Sequence, residues 1–301
     1  MHIAVAATPE VAIPTLEALR VSSHELAFVI TRADAPAGRG RELQASPVSQ
    51  WAQRNNIDVK KPNMATEIGD LVRGLDLVIT IGYGFIIPEA ILSIPKYGFI
   101  NLHFSLLPRW RGAAPVQRAI EAGDSFTGVT VFKLDKGMDT GPIYMSVQTP
   151  LPDGCNTAEL FEILANLGAK PVLDSLELIA AGEPPKVQNE EGASRANKLS
   201  KEEGHIDWST QAIAIERKVN AFNPNPGAWS IFRGQNLKID KVCMTEQVLP
   251  IGQMEILNKS VLVGTSTLAL ELLEVTPAGK ATLAATAWAN GARITSTDVL
   301  K

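Results

Sequence analysis

Cysteine is scarce in this chain. Its two cysteines, Cys155 and Cys243, form no C-x-x-C motif. This excludes a disulfide framework and a cysteine-rich zinc site. The four histidines show no i, i+4 pairing with an acidic residue, so we expect no histidine zinc site and no metal.

Glycine-rich nucleotide-binding motifs are absent too. The turn after the first predicted strand reads Ala6-Ala7-Thr8-Pro9. It lacks the glycines that let a backbone approach a pyrophosphate, which disfavours a Rossmann dehydrogenase. No G-x-x-x-x-G-K-[ST] stretch occurs, which excludes a P-loop.

Long apolar runs and a strong charge of one sign are also missing. No run is long enough to span a bilayer. The segment from Met1 to Ala7 enters a strand without basic residues, so we expect no signal peptide and a reducing cytoplasm as the setting. The formal net charge of −4 excludes a uniformly basic nucleic-acid surface, although it allows a local basic patch.

The first half of the chain has the pattern of an α/β domain. Predicted strands lie at 3–7, 25–30, 75–81, 99–103 and 128–134, and predicted helices at 9–19 and 46–55. Ser46 is the expected N-cap of the second helix, with Pro47 at its first position. This alternation predicts a doubly wound, Rossmann-like sheet, in which ligands bind outside the carboxyl ends of the strands.

The second half has a different texture. A helix at 157–181, capped by Thr157, is followed by a polar stretch and then by another helix and short strands at 228–232, 236–242, 261–264 and 268–275. These strands predict a small OB-like β-barrel, a fold that often binds nucleic acid. We predict an α/β domain over 1–185, a linker over 186–205 and a β-barrel domain over 206–301.

A candidate catalytic pair lies at the end of strand 99–103. Asn101 and His103 are two residues apart and so project from the same face of the strand. An amide can hold a developing oxyanion, and an imidazole can move a proton. The alternative is a strand end with a hydrogen-bonded asparagine and a satisfied core histidine.

The loop after strand 128–134 contains a candidate carboxylate for this pair. Asp139 lies there between two glycines and can reach a neighbouring strand end to orient an imidazole. Asp135 competes for that role, and a solvated turn aspartate is the alternative for either residue.

Two basic segments lie on the expected ligand side. Arg39 and Arg41 are at the tip of a Gly/Pro-rich loop, while Arg109 and Arg111 flank Trp110. Such groups can contact phosphates and stack on a base. A solvated basic loop is the alternative for each segment.

Together these residues resemble the sequence motifs of a known family. The matching stretches are Asp34 to Gly40, Asn101-Leu-His103, Ser105 to Pro115, Met138-Asp-Thr-Gly141, Lys198 to Glu203, Ile206-Asp-Trp208 and Ala221 to Pro224. The chain resembles the methionyl-tRNA formyltransferase family nearly from end to end. Asn-x-His, Ser-Leu-Leu-Pro and the later aspartate are shared by all folate-dependent formyltransferases of this fold. The arginine-tipped loop, the Arg109 to Pro115 stretch and the C-terminal domain are specific to the tRNA enzyme.

The resemblance implies transfer of the formyl group of 10-formyltetrahydrofolate to the α-amino group of initiator methionyl-tRNA. Asn101 would hydrogen-bond the formyl oxygen, His103 would stabilise the oxyanion or carry a proton to the folate, and Asp139 would orient His103. The folate site would be formed by Ser105, Leu106, Leu107, Pro108, Phe85, Ile86 and Ile87. The tRNA would be held by Arg39, Arg41, Arg109, Arg111 and the C-terminal barrel. We also expect a monomer, since nothing in the sequence suggests a dimer interface.

The sequence departs from the family pattern in places. Phe104 replaces a usual glycine, and strand alternation points it away from Asn101 and His103, so we expect it to pack into the sheet. Asn225 stands where an aromatic residue is common, and Ala7 where glycine is more usual. Two alternatives are a formyltransferase for a small amine, such as a glycinamide nucleotide or an amino sugar, and a non-catalytic RNA-binding protein on the same fold.

Overall fold

A computed structural model describes residues 1–37 and 42–301 of the chain. By their contacts these residues form two units: the first comprises 1–115, 126–150 and 161–196, and the second 116–125, 151–160 and 197–301. The domain bounds predicted from the sequence, at 185 and 205, stay a prediction. None of the described helices combines the length and apolar character that a bilayer crossing requires.

The strands and helices follow in chain order. The strands are β1 (His2–Ala7), β2 (Glu25–Ile30), β3 (Ala35–Ala37), β4 (Glu42–Gln44), β5 (Asp58–Lys60), β6 (Leu77–Ile81), β7 (Phe99–His103), β8 (Arg111–Gly112), β9 (Phe126–Lys133), β10 (Ile143–Pro150), β11 (Arg195–Ala196), β12 (Ala228–Phe232), β13 (Gln235–Met244), β14 (Met254–Leu257), β15 (Ser260–Val263), β16 (Leu270–Pro277) and β17 (Leu283–Ala284). The α-helices are α1 (Ile13–Arg20), α2 (Pro47–Arg54), α3 (Ile68–Leu71), α4 (Glu89–Leu92), α5 (Pro115–Ala122), α6 (Thr157–Ala180), α7 (Ala212–Phe222) and α8 (Ala285–Ala292), with 3₁₀ turns at Glu10–Ala12 and Ala65–Glu67.

The first unit is built on a seven-stranded sheet in the order β10-β9-β7-β6-β1-β2-β5. The five strands from β7 to β5 in this order pair in parallel, whereas β9 pairs antiparallel with β7 on one side and with β10 on the other. Strand β6 is buried at every position, as expected for a continuous apolar run covered on both faces. The predicted α/β class is therefore confirmed, with an antiparallel edge that the sequence did not reveal.

Local signals explain where two helices begin. The Ser46 hydroxyl accepts a hydrogen bond from the Ser49 N–H at 3.0 Å, and Pro47 occupies the first turn of α2, as predicted. The predicted cap of α6 at Thr157 is wrong. Asn156, one residue earlier, accepts from the N–H groups of residues 158 and 159, and its own N–H donates to Glu159 at 3.0 Å, which is a reciprocal capping arrangement.

The second unit contains an antiparallel sheet in the order β12-β13-β16-β15-β14, with β17 paired to β16. The Asn223 amide donates to the carbonyl oxygens of Val219, Ile239 and Asp240, so the end of α7 is tied to β13. A C-terminal part made of antiparallel strands is thus confirmed.

Asp298 in the second unit predicts an acid-sensitive contribution to stability. Two hydrogen bonds of 2.7 Å from Arg233 lower the pKa of Asp298 from 3.8 to about 2. Because the folded pKa lies below the unfolded one, this contribution is complete above about pH 4 and is lost as the pH falls toward 2. Urea unfolding of Asp298→Asn should therefore show its largest deficit against the parent protein at neutral pH and a shrinking deficit below about pH 4. A deficit that does not change with pH would contradict this linkage.

Candidate active site

His103 is the last residue of β7, at the carboxyl edge of the parallel strands. The ring is buried, and its Nε2 lies 2.9 Å from the carbonyl oxygen of Trp110. A carbonyl oxygen can only accept, so Nε2 carries a hydrogen atom. This leaves Nδ1 as the nitrogen that can take up and release a proton.

Asp139, not Asp135, is the carboxylate that the structure brings to His103. Its Oδ2 lies 3.8 Å from His103 Nδ1 and accepts a hydrogen bond of 2.7 Å from the backbone N–H of Gly112. Asp135 instead accepts from the Gly137 N–H and the Thr140 hydroxyl within its own turn. Of the two aspartates, the structure thus places Asp139 beside His103.

Asn101 lies two residues before His103, on the same face of β7. Its Oδ1 accepts a hydrogen bond of 2.8 Å from the hydroxyl of Thr80, on the neighbouring strand β6. Since the oxygen of the amide is engaged in this way, its NH₂ group is the part that can donate to a substrate oxygen.

Phe104 packs on the opposite side of the strand, as the alternation predicts. Its ring is buried and meets the ring of Phe161 edge-on, with centroids 5.8 Å apart. The larger side chain at this position is thus accommodated against α6, away from Asn101 and His103.

The loop from Ser105 to Pro108 is held by hydrogen bonds to its backbone. The Thr130 hydroxyl donates to the Ser105 carbonyl oxygen at 2.7 Å and accepts from the Leu107 N–H at 3.1 Å. The Ser105 hydroxyl is itself buried and donates to the Arg109 carbonyl oxygen at 2.6 Å. Leu107 is buried, whereas Leu106 and Pro108 are half-buried, so these two are the members of the loop that a ligand can reach.

The segment from Tyr83 to Ile87 follows β6 and combines buried and exposed apolar groups. Ile86 is 78% exposed and Ile87 is buried. The Phe85 ring lies 4.0 Å below the guanidinium of Arg32 and 5.5 Å from the Tyr83 ring, which it meets edge-on. Burial raises the pKa of Tyr83 to about 12, so its phenol stays neutral. Arg32, two residues after the end of β2, carries no signal in the sequence.

The predicted basic residues differ in their placement. Arg39 and Arg41 lie outside the described residues. The guanidinium of Arg109 stacks over the Trp110 ring at 4.4 Å, and the residue is exposed. The Arg111 side chain is only 12% exposed and donates to Gln188 and Glu190. The guanidinium expected to contact tRNA is therefore bonded to acceptors from the polar segment after residue 186.

Gln188 is the functional candidate that sequence reasoning missed. Its side-chain amide donates to the carbonyl oxygens of Asp139 and Gly141 at 2.9 and 2.7 Å. No spacing or motif singled it out, since it lies in a polar stretch interpreted as a linker.

Within residues 1–37 and 42–301 the structure contains no cluster of His, Cys, Asp and Glu that could hold a metal ion.

Comparisons with known proteins cover nearly the whole chain. Residues 1–171 match the protein-family model described as "Formyl transferase", and residues 198–293 match "Formyl transferase, C-terminal domain". The methionyl-tRNA formyltransferase of Thermobifida fusca (strain YX) is 43% identical over 301 residues, which cover 98% of this chain and 97% of that protein.

Two solved structures are similar in fold. The N-formyltransferase from Helicobacter canadensis, in complex with folinic acid and dTDP-3-aminofucose, gives a TM-score of 0.70 at 18% identity and covers 90% of this chain and 98% of that one. HypX from Aquifex aeolicus in complex with tetrahydrofolic acid gives 0.68 at 19% identity and covers 96% of this chain and 47% of that one. At such low identity these likenesses show the fold alone.

Two threonines on β9 offer a matched test of how the Ser105–Pro108 loop is held. Both are buried, but the Thr127 hydroxyl has no hydrogen-bond partner among the described residues, whereas Thr130 serves two backbone groups of the loop. We expect Thr130→Val to lower the free energy of unfolding by about 1–3 kcal/mol, because it leaves buried backbone groups unpaired. Thr127→Val should leave it unchanged or raise it, and equal losses in urea unfolding would contradict the assignment.

Proposed function

The chain belongs to the formyl transferase family, and from this premise we propose that it transfers the formyl group of 10-formyltetrahydrofolate to the α-amino group of methionyl-tRNA. The product would be the N-formylmethionyl-tRNA used in translation initiation. The resemblance predicted from the sequence is confirmed by both family models and by the full-length relative.

One observation supports methionyl-tRNA as the acceptor. The chain is 43% identical to a methionyl-tRNA formyltransferase across 98% of its length. The fold alone would not decide, because a formyltransferase in complex with a nucleotide amino sugar matches with a TM-score of 0.70. The full-length identity therefore favours aminoacylated tRNA over a small amine.

The side chains at the end of β7 suit the chemistry of this transfer. The acceptor amine attacks the formyl carbon, so a C–N bond forms and the carbonyl oxygen gains negative charge. The NH₂ group of Asn101, oriented by Thr80, would donate to this oxygen. A preorganised donor of this type is worth roughly 10²–10³ in rate.

His103 and Asp139 would manage the protons. The attacking amine must lose a proton, and N10 of the folate must gain one as its bond to the formyl carbon breaks. His103 Nδ1 is the nitrogen free to exchange a proton, since Nε2 donates to the Trp110 carbonyl oxygen. The Asp139 carboxylate, 3.8 Å away, would orient the ring and stabilise its cationic form.

The two substrates would approach from different segments. The half-buried Leu106 and Pro108 and the residues Phe85 to Ile87 would contact the folate, with Ser105 and Leu107 supporting that loop from inside. Arg39 and Arg41 would contact tRNA phosphates, and Arg109 would do so beside Trp110. We do not assign such a contact to Arg111, whose guanidinium is bonded within the protein.

An acceptor assay tests the proposal directly. The protein is incubated with 10-formyltetrahydrofolate labelled in the formyl group and with methionyl-tRNA, uncharged tRNA, glycinamide ribonucleotide or a dTDP-linked amino sugar. We expect label only on methionyl-tRNA. Label on a small amine and none on methionyl-tRNA would support the small-amine alternative, and RNA binding without any transfer would support the non-catalytic one.

The role of His103 gives a sharper prediction. His103→Ala should lower kcat for formyl transfer by at least roughly 10²-fold, because the proton carrier is lost. The dissociation constant for tetrahydrofolate, measured by calorimetry, should change little. His2→Ala is a matched control, since His2 also lies 3.8 Å from a carboxylate, that of Glu25, but is far more exposed. Full turnover in His103→Ala would remove His103 from the mechanism.

A further inference from the structure

The side-chain amide of Gln188 is fully used inside the first unit. The residue is 8% exposed. Its Nε2 donates to the carbonyl oxygens of Asp139 and Gly141, and its Oε1 accepts from Arg111 Nε at 3.1 Å and Nη2 at 2.8 Å. Two donors and two acceptor sites are thereby satisfied. If the amide were flipped, its NH₂ group would face the N–H donors of Arg111, and its oxygen would face the two carbonyl oxygens. The orientation of the amide is therefore fixed.

The segment that carries Gln188 is anchored on both sides. Before it, Lys186 exchanges two backbone hydrogen bonds, of 2.7 and 2.8 Å, with Ile143 at the start of β10. After it, β11 pairs with β8, where Arg195 is aligned with Arg111. The amide is therefore presented to Asp139 by a fixed backbone.

Two hydrogen bonds hold Asp139, one to its backbone carbonyl oxygen and one to its carboxylate. Gln188 holds its backbone carbonyl oxygen, while Gly112, next to Arg111, holds its carboxylate at 2.7 Å. Together the contacts close a ring from the Asp139 carboxylate through Gly112, Arg111 and Gln188 back to the Asp139 backbone. Asp139 itself adopts a φ of +54°, in the left-handed region that is uncommon for a residue with a Cβ atom.

From these contacts we propose that Gln188 is a positioning residue for formyl transfer, which holds Asp139 so that its carboxylate faces His103. This deepens the proposed function and rests on it. Gln188 does not touch the reacting atoms. It acts through the loop that aims Oδ2 of Asp139 at His103 Nδ1.

The first measurement is the steady-state kinetics of Gln188→Met, which keeps the length of the side chain and removes its polar atoms. We expect kcat for methionyl-tRNA formylation to fall by roughly 10- to 10²-fold, as displaced catalytic groups do, with KM for 10-formyltetrahydrofolate unchanged. Gln148→Met is the matched control, since Gln148 is exposed on β10, and should behave as the parent protein. If Gln188→Met does not fold, Gln188→Glu serves instead, because it keeps the acceptor for Arg111 and removes the two donors.

A double-mutant cycle separates positioning from a general structural role. In an Asp139→Asn background, where the carboxylate is already gone, Gln188→Met should change kcat by less than about twofold. A loss as large as in the parent background would show that Gln188 acts independently of Asp139 and would overturn the inference. Glu190→Gln should have little effect, since the carboxylate of Glu190 is 75% exposed and such surface pairs contribute little.

The outcome can be distinguished from a failure of the proposed function. If the parent protein formylates a different amine, the acceptor proposed above is wrong, but the same cycle is measured with that amine. If the parent protein formylates no amine, both the function and the positioning role are overturned.

Discussion

The hydrogen bond from the backbone N–H of Gly112 to the carboxylate of Asp139 holds the candidate site together. At 2.7 Å it joins the loop after β9 to the segment after β7, and so brings an aspartate more than thirty residues downstream next to His103. Gly112 is required there because its φ is +129° and because a Cβ atom would lie 2.6 Å from the Ala196 carbonyl oxygen. The same glycine thus allows β11 to approach and the Asp139 carboxylate to be bound.

Two neighbouring groups determine which nitrogen of His103 can exchange a proton. The Trp110 carbonyl oxygen fixes the hydrogen on Nε2, and Asp139 lies on the side of Nδ1. Trp110 adopts a φ of +65°, and its N–H donates to the Ser194 hydroxyl at 3.0 Å. The segment after residue 186 therefore supports both neighbours of His103, although it contributes no group to the site itself.

Sequence reasoning succeeded where local patterns decide. The bounds of β2, β7 and β12 follow from short apolar runs, and strand alternation alone placed Asn101 and His103 on one face and Phe104 on the other. It did not separate Asp139 from Asp135, because that choice depends on which carboxylate meets Gly112. It also did not identify Gln188, since a polar residue in a polar stretch carries no signal until its partners are known.

Arg111 shows in the same way that long-range partners cannot be predicted from the sequence. A basic residue beside a tryptophan is typical of a nucleic-acid contact, yet acceptors far along the chain engage its guanidinium. The antiparallel strand β10 was missed as well, because its pairing with β9 is a long-range property. The fold does not identify the acceptor either, since an N-formyltransferase in complex with dTDP-3-aminofucose shares it.

The proposed proton transfer depends on Asp139 being held beside His103. A crystal structure of the protein with bound tetrahydrofolate tests it most directly. We expect Asp139 Oδ2 to remain beside His103 Nδ1, at about the 3.8 Å seen here, and still to accept from the Gly112 N–H. A carboxylate turned away from His103, with its hydrogen bond to Gly112 broken, would contradict this positioning of Asp139.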